Sequence, residues 1–350
     1  MSLIQKIITA PNIVGYFNEK QRTVDATIGE KVFPTKKQLG LKLAFIKGAA
    51  GKPVVLQPAA FDTKVPLRER MAVELNEEEM PFFKEAMLVK EADRQQLNMI
   101  AQTGNQGMID TVTRGIFDDT ATLLAGANAR LEAMRMQVLA TGKIAINSNG
   151  VAKDIDYGVQ EDHKGAVDKT KKWALLDKSN PLADIEKAIE ALEALGGSAE
   201  VMYLNQVTFA QAKNAVSTAK TIKPLVQDGA KVTKADFISY LEDNYNLKVV
   251  IKNQTYKDVD GTVKKYFPDG AVTFGPNTAL GNTVFGTTPE ESDLMGGGNA
   301  AVQVQLVGAG IAVTTKKLDD PVNVETKVSM IALPSFEQID EVYMLDVDPA

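Results

Sequence analysis

Cysteine is absent from this 350-residue chain. Disulfides, thiolate nucleophiles and thiolate metal sites are therefore excluded together. That absence fits a reducing compartment, or a product that must not form stray cross-links. Histidine occurs once, as His163 in the stretch QEDHKG. Metal sites rich in imidazole and paired-histidine chemistry are excluded within one chain, and the polar neighbours mark His163 as an exposed loop residue. Tryptophan also occurs once, as Trp173. No apolar run approaches the roughly 18 residues that cross a bilayer. The opening MSLIQKIITAPNIVGYF lacks the basic start, apolar block and small-residue cleavage site of a signal peptide. No membrane partner is expected.

What is present is an ordinary globular mixture, 44% hydrophobic and 24% charged. The net charge of −6 hides an asymmetry: residues 1–72 hold 12 Lys+Arg against 5 Asp+Glu (+7), and the remainder holds 27 against 40 (−13). A basic arm on an acidic body suggests that the arm of one copy lies across the body of another. Nucleic-acid contact and plain solvation are the alternatives; dispersed basic residues without interleaved aromatics argue against the first.

Residues 1–47 read as an extended arm with short strands such as IVGYF and LKLAFI. Residues 48–81 carry four prolines and two glycines between strand-like pieces (PVVLQ, TKVPL, MAVEL), the texture of an exposed two-stranded excursion. From Met108 to about Thr141 the apolar positions Ile109, Val112, Ile116, Leu123, Ala127, Leu131, Met134 and Val138 step by threes and fours. That spacing predicts a long amphipathic helix of about 50 Å, a spine. KIAINSNGVAKDIDYG predicts a hairpin turning at Asn149-Gly150. Asn180 as cap, Pro181 at the first helical position and Gly196-Gly197 as stop frame a helix with Leu182, Ile185, Ile189 and Leu192 buried. EVMYL reads as a buried strand, NQVTFAQAKNAV and TKADFISYLEDNY as helices, the latter with a Thr233/Asp236 capping box. LKVVIKNQTYKDVDGTVKKYF reads as a hairpin around Asp260-Gly261, so residues 180–305 form a compact α/β or α+β body.

The stretch KYFPDGAVTFGPNTALGNTVFG is glycine-rich but fails the phosphate tests. Gly275 and Gly281 are spaced one residue too wide for a P-loop, and Asn282-Thr283 follows in place of Lys-Ser/Thr. The glycines mark bends between short strands. Asp258-Val259-Asp260-Gly261 resembles the start of a calcium loop, yet Thr262 and Asp269 occupy ligand positions that calcium loops give to other groups. A type I′ hairpin turn is the preferred reading there. ELNEEE at 74–79 reads as a solvated face or the partner of a basic strip, and Trp173 as packing or an interface anchor. No nucleophile–base pair is visible, so no enzyme activity and no cofactor are expected.

Arm, exposed hairpin, spine helix, α/β body and returning strands follow in a specific order. That order resembles the major capsid proteins of tailed bacteriophages with the Hong Kong 97 fold, in particular the lambda-type capsid protein E family. The resemblance rests on WALLDKSNPLADIEKA, KKYFPDGAVTFGPNTALGNTVFG and the terminal KVSMIALPSFEQIDEVYMLDV. It implies an α+β, Hong Kong 97-like capsid fold. Residues 1–45 would be the N-terminal arm, 46–81 an extended β-hairpin or E-loop, and 82–179 a P domain with the spine helix at about 108–141. Residues 180–308 would be a compact α/β A domain, and 309–350 a return to the P domain.

The resemblance further implies a structural shell protein that self-assembles into hexamers and pentamers around double-stranded DNA, held non-specifically. Implied partners are a separate scaffolding protein, since no helical scaffolding segment precedes the arm, together with a portal and a head decoration protein. Assembly in the host bacterial cytoplasm and residence in the virion follow. Candidate inter-subunit contacts are Lys52, Lys64, Arg68 and Arg70 in the E-loop, Glu77, Glu78 and Glu79 at its end, and Trp173. Some relatives cross-link lysine to asparagine; no matching asparagine or glutamate motif accompanies Lys52 and Lys64, so that chemistry is not carried over. An encapsulin-like protein compartment is the near alternative. A small-molecule-binding or catalytic domain at 180–305 is the distant one, and would need polar groups converging in a deep pocket.

Overall fold

The computed structural model describes residues 7–21, 26–47, 74–89, 91–103, 106–148, 151–224, 231–295, 302–319 and 322–349. The strand-like pieces expected at PVVLQ and TKVPL and the Asn149-Gly150 turn lie outside the described residues. The chain folds as two units. One comprises 1–44, 77–133 and 282–335, and the other 45–76, 134–281 and 336–350.

In chain order the strands are β1 (Thr35–Lys37), β2 (Lys42–Lys47), β3 (Glu74–Glu79), β4 (Phe82–Leu88), β5 (Lys143–Ser148) and β6 (Val151–Asp156). Next come β7 (Lys164–Ala166), β8 (Val201–Leu204), β9 (Lys248–Ile251), β10 (Thr255–Lys257), β11 (Val263–Lys265) and β12 (Ala271–Gly275). The last are β13 (Thr283–Phe285), β14 (Val302–Val307), β15 (Ile311–Asp319), β16 (Val322–Pro334) and β17 (Tyr343–Asp346). The spine helix runs from Gln106 to Thr141, close to its expected span. Strands β2 and β3 pair as a two-stranded ladder, as do β5 and β6.

The first unit is built on β16. Its amino-terminal part pairs antiparallel with β15 on one side and β4 on the other, and its last residues pair with β13. β14 continues from β15, and β1 adds parallel to β13. Of the two short strands expected in the amino-terminal segment, LKLAFI supplies β2 but IVGYF does not form one. Ala10–Gln21 is a helix, with Pro11 in its first turn and Ala10, Ile13, Val14 and Phe17 buried along one stripe. These residues repeat at helical spacing, and the stripe packs on β14 and β15. A short helix, Ile28–Val32, follows, capped by the Thr27 hydroxyl accepting from the Glu30 amide.

The second unit has a five-stranded sheet in the order β7-β17-β12-β8-β9, with β7–β17 and β8–β9 parallel and the inner pairs antiparallel. Its core joins Trp173, Phe209, Phe237, Phe274 and Leu345 to the apolar stripe of helix Pro181–Leu195. That helix starts at Pro181 and ends at Gly196, whose φ of +99° permits the left-handed cap. Asn180 occupies the cap position without a side-chain cap bond. The Thr233/Asp236 capping box is formed in full at the start of Lys234–Tyr245.

The Asp260-Gly261 hairpin and the carboxy-terminal segment depart from expectation. β9 pairs with β8, not across the Asp260-Gly261 hairpin, which contains only β10 and β11. Gly261 alone has positive φ there, and the Gly261 amide donates to the Asp258 carbonyl. The turn is thus type I closed by a left-handed glycine rather than type I′, which needs two such residues. The carboxy-terminal segment is divided: β15 and β16 complete the first unit's sheet, whereas β17 lies within the second unit's sheet.

Candidate assembly surfaces

Four of the expected contact residues, Lys52, Lys64, Arg68 and Arg70, lie outside the described residues. Glu77, Glu78 and Glu79 close strand β3. Glu79 is exposed and Glu78 half-buried, and both already take part in interactions within the chain.

Of the two readings of Trp173, packing or interface anchor, the fold accords with packing. Its side chain is 0% exposed, and its indole Nε1 donates to Asp184 Oδ2 at 3.0 Å. A fully enclosed ring offers no surface to a neighbour; it anchors its own core, with its polar edge satisfied. The exposed apolar groups of that stretch are the next leucines, Leu175 and Leu176, at 42% and 37%.

His163 is not the exposed loop residue that its polar neighbours suggest. It is 5% exposed, and its Nδ1–H donates to the Val342 carbonyl at 2.8 Å. The polar neighbours in sequence belong to a single turn of 3-10 helix that leads into β7, and pairing of β7 with β17 brings the Val342 carbonyl within reach of the ring Nδ1.

The Asp258–Asp260 turn is held by its own bonds. Asp260 Oδ1 accepts from the Thr262 amide (2.9 Å) and hydroxyl (2.6 Å), which hold its carboxyl below the ordinary range. Asp258 accepts from Lys264 at 2.5 Å and from the Val259 amide. Both carboxylates serve the turn. In the first unit a groove of about 410 Å³ includes Glu290, Lys316, Glu325 and Lys327 in its lining. Burial works to raise the Glu290 pKa, but hydrogen bonds from Lys327 (2.5 Å), its own amide and Ser329 (2.9 Å) outweigh it and leave the carboxyl lowered. A carboxylate satisfied in this way is a structural ion pair, not a poised acid.

The amino-terminal segment is fastened to the spine helix at two places. Asp118 Oδ1 accepts from Lys20 Nζ at 2.8 Å and from the Tyr16 hydroxyl at 2.7 Å; these two bonds, Lys20 first, lower its pKa. The Tyr16 ring stacks on Phe117 with centroids 5.5 Å apart. Further along, buried Glu132 accepts from the Thr27 hydroxyl and the Gly29 amide.

The loop from Gln38 to Lys42 is pinned on all sides. The Gln38 amide donates to Phe285 O (2.8 Å), the Gln38 side chain to Lys42 O (3.0 Å), the Met80 amide to Leu41 O (2.9 Å) and the Thr287 amide to Gly40 O (3.3 Å). Here the glycine-rich stretch finds its use. A Cβ on Gly286 would stand 2.6 Å from Gly40 O, so only glycine lets the two backbones meet. At Gly270 the requirement is φ of +75°, with Asp348 Cβ 2.9 Å from the position a Cβ would take. Both glycines allow strands and loops to close. Sequence reasoning passed over Leu39 and Leu41, which this loop leaves 77% and 54% exposed; the signal was two leucines flanking a glycine in LGLKL.

Comparison with known proteins identifies the family. The profile of the phage major capsid protein E family matches residues 9–347. Comparison with curated protein sequences finds no match. Among solved structures the chain is similar to a protein assigned as a prophage capsid protein of Escherichia coli CFT073, at 13% identity and TM-score 0.59, covering 97% of this chain and 99% of that one. It is similar also to a phage-related protein of Bordetella bronchiseptica RB50, at 12% identity and TM-score 0.57, covering 98% and 99%. The mixed helix-and-sheet architecture is the Hong Kong 97-like capsid fold. With a family match over nearly its whole length, the chain belongs to the phage major capsid protein E family, whose members are structural proteins of the head shell.

Proposed function

We propose that the protein assembles through itself into hexamers and pentamers of an icosahedral head that encloses double-stranded phage DNA without reading its sequence, and that it has no catalytic role. The observation that carries this reading is the family match over residues 9–347. Many modest contacts repeated by symmetry stabilise a shell without any single strong one. The proposed division of labour assigns 1–45 to an arm, 46–81 to an E-loop, 82–179 with 309–350 to a P domain, and 180–308 to an A domain. The β2–β3 ladder supports an E-loop base, and the bonds of Tyr16, Lys20 and Thr27 to the spine helix support an arm seated on the P domain. A separate scaffolding protein, a portal and a decoration protein are the proposed partners. Assembly in the host cytoplasm and residence in the virion complete the reading.

Electron microscopy of the chain expressed with its neighbouring phage genes tests it. Closed shells that carry nuclease-protected DNA are expected. Shells filled with protein cargo would favour an encapsulin-like compartment, and a monodisperse monomer under all conditions would overturn the shell reading.

A further inference from the structure

Leu39 and Leu41 are held in water by an unusual concentration of bonds. Their loop carries four hydrogen bonds from Gln38, Met80 and Thr287, a left-handed glycine at Gly40 (φ +97°), and a glycine opposite, Gly286, that makes room for it. Ordering a surface loop costs backbone entropy at every residue. Within the chain, that ordering leaves two leucines unpacked. A rigid loop presenting apolar side chains is preorganised for docking, because little freedom remains to be lost when a partner arrives. Phe82, two residues past the Met80 amide that holds Leu41, is also partly exposed and has the Lys84 ammonium 5.5 Å from its ring centroid.

The occupant follows from charge and from the shell reading, on which this inference rests. The loop lies in the +7 segment 1–72, and the remainder of the chain carries −13. In a shell the surface most abundant around each subunit is that of its own copies. Rings of identical subunits need two different faces that meet head to tail, so a protruding patch on one copy requires a distinct receiving surface on the next. We propose that Leu39 and Leu41 form a docking knob that seats on an acidic-rimmed apolar surface within residues 73–350 of a second copy of this chain.

Two experiments test it in the assembling protein. Leu39→Asp with Leu41→Asp, and Leu39→Asn with Leu41→Asn, are compared with wild type for shell yield by electron microscopy and for melting of the dissociated subunit. Both pairs are expected to melt within a few degrees of wild type, since the side chains are exposed. Shell yield should fall at least tenfold for the aspartates and less for the asparagines, because the receiving surface is acidic. Wild-type yield in both pairs would overturn the proposal.

The second experiment uses the absence of native cysteine. Leu39→Cys, labelled with a benzophenone maleimide and co-assembled as a minority with unlabelled subunits, is irradiated in intact shells. A product of twice the subunit mass that maps to a peptide within 73–350 is expected. No product, a product with a scaffolding or decoration protein, or a map confined to 1–72 overturns the knob while wild-type shells leave the shell reading intact. Failure of wild type to form shells would instead remove the shell reading itself.

Discussion

The hydroxyl of Thr27 donates to the buried carboxylate of Glu132 at 2.6 Å, joining residues 105 apart in the chain. The same hydroxyl accepts from the Glu30 amide, and Glu132 also receives the Gly29 amide at 3.2 Å. One side-chain pair thus caps a short helix and attaches it to the spine. Thr27→Val removes the cap and leaves Glu132 short of a donor, with an expected loss of about 1–3 kcal/mol. Thr27→Ser keeps both bonds and should lose well under half of that. Urea unfolding of dissociated subunits measures the difference, and equal losses for the two variants would show that the hydroxyl is not the source.

Gly286→Ala places a methyl group 2.6 Å from Gly40 O, 2.8 Å from Met80 Cε and 2.9 Å from Ile331 Cγ2. Methionine can yield, but the carbonyl belongs to a loop fixed by its own bonds. The expected cost is about 1–3 kcal/mol, that of overpacking, and the melting temperature of the subunit reads it. Gly308→Ala, at a position with open space around it but positive φ, should cost less; an equal or larger loss there would refute the close-approach account of Gly286.

His163→Phe keeps a buried ring and removes the donor to Val342 O. A buried carbonyl left unpaired costs about 1–3 kcal/mol, and the loss should appear as faster amide exchange at β7 and β17. Unchanged exchange in both strands would mean that water or a neighbouring group replaces the imidazole.

Asp236 titrates low. Hydrogen bonds from Lys223 first, then from the Thr233 amide and hydroxyl, hold its carboxyl at about 2 against an ordinary 3.8. A carboxyl with a lowered folded pKa stabilises the fold above its unfolded value and loses that contribution as pH falls through the folded value. The window is therefore between about pH 4 and pH 2, with stability lost on acidification. Lys223→Met should move the Asp236 midpoint upward while the capping box keeps it below the ordinary value. Carboxyl-detected NMR of the dissociated subunit follows the shift.

Trp173 provides an optical check. As the sole tryptophan, fully enclosed and bonded to Asp184, it should emit well to the blue of a solvated indole, with the same maximum in subunits and in shells. A shift on assembly would return Trp173 to the interface.

The parts legible in sequence were those governed by short-range rules. The spine helix, the Pro181–Gly196 helix, the Thr233/Asp236 box and the β5–β6 pairing follow from periodicity, caps and turns within a few residues. The amino-terminal helix is also legible, since Ala10, Ile13, Val14 and Phe17 repeat at helical spacing, although the short apolar word IVGYF by itself suggests a strand. Strand β4 was harder: its partner is β16, with Phe82 opposite Ile331. Burial of His163 depends on Val342, and exposure of Leu39 on bonds to Phe285 and Thr287. Such outcomes are fixed by contacts far along the chain, which local propensity does not carry.

The placement of β16 bears on synthesis. β4, β13 and β15 all pair with this strand. A nascent chain therefore emerges with β4 waiting for a partner that the ribosome adds more than 230 residues later, and the first unit closes only once Pro334 has been made. Contacts of such separation fold late. A chain that stops before β16 lacks the seam outright and cannot build the complete unit.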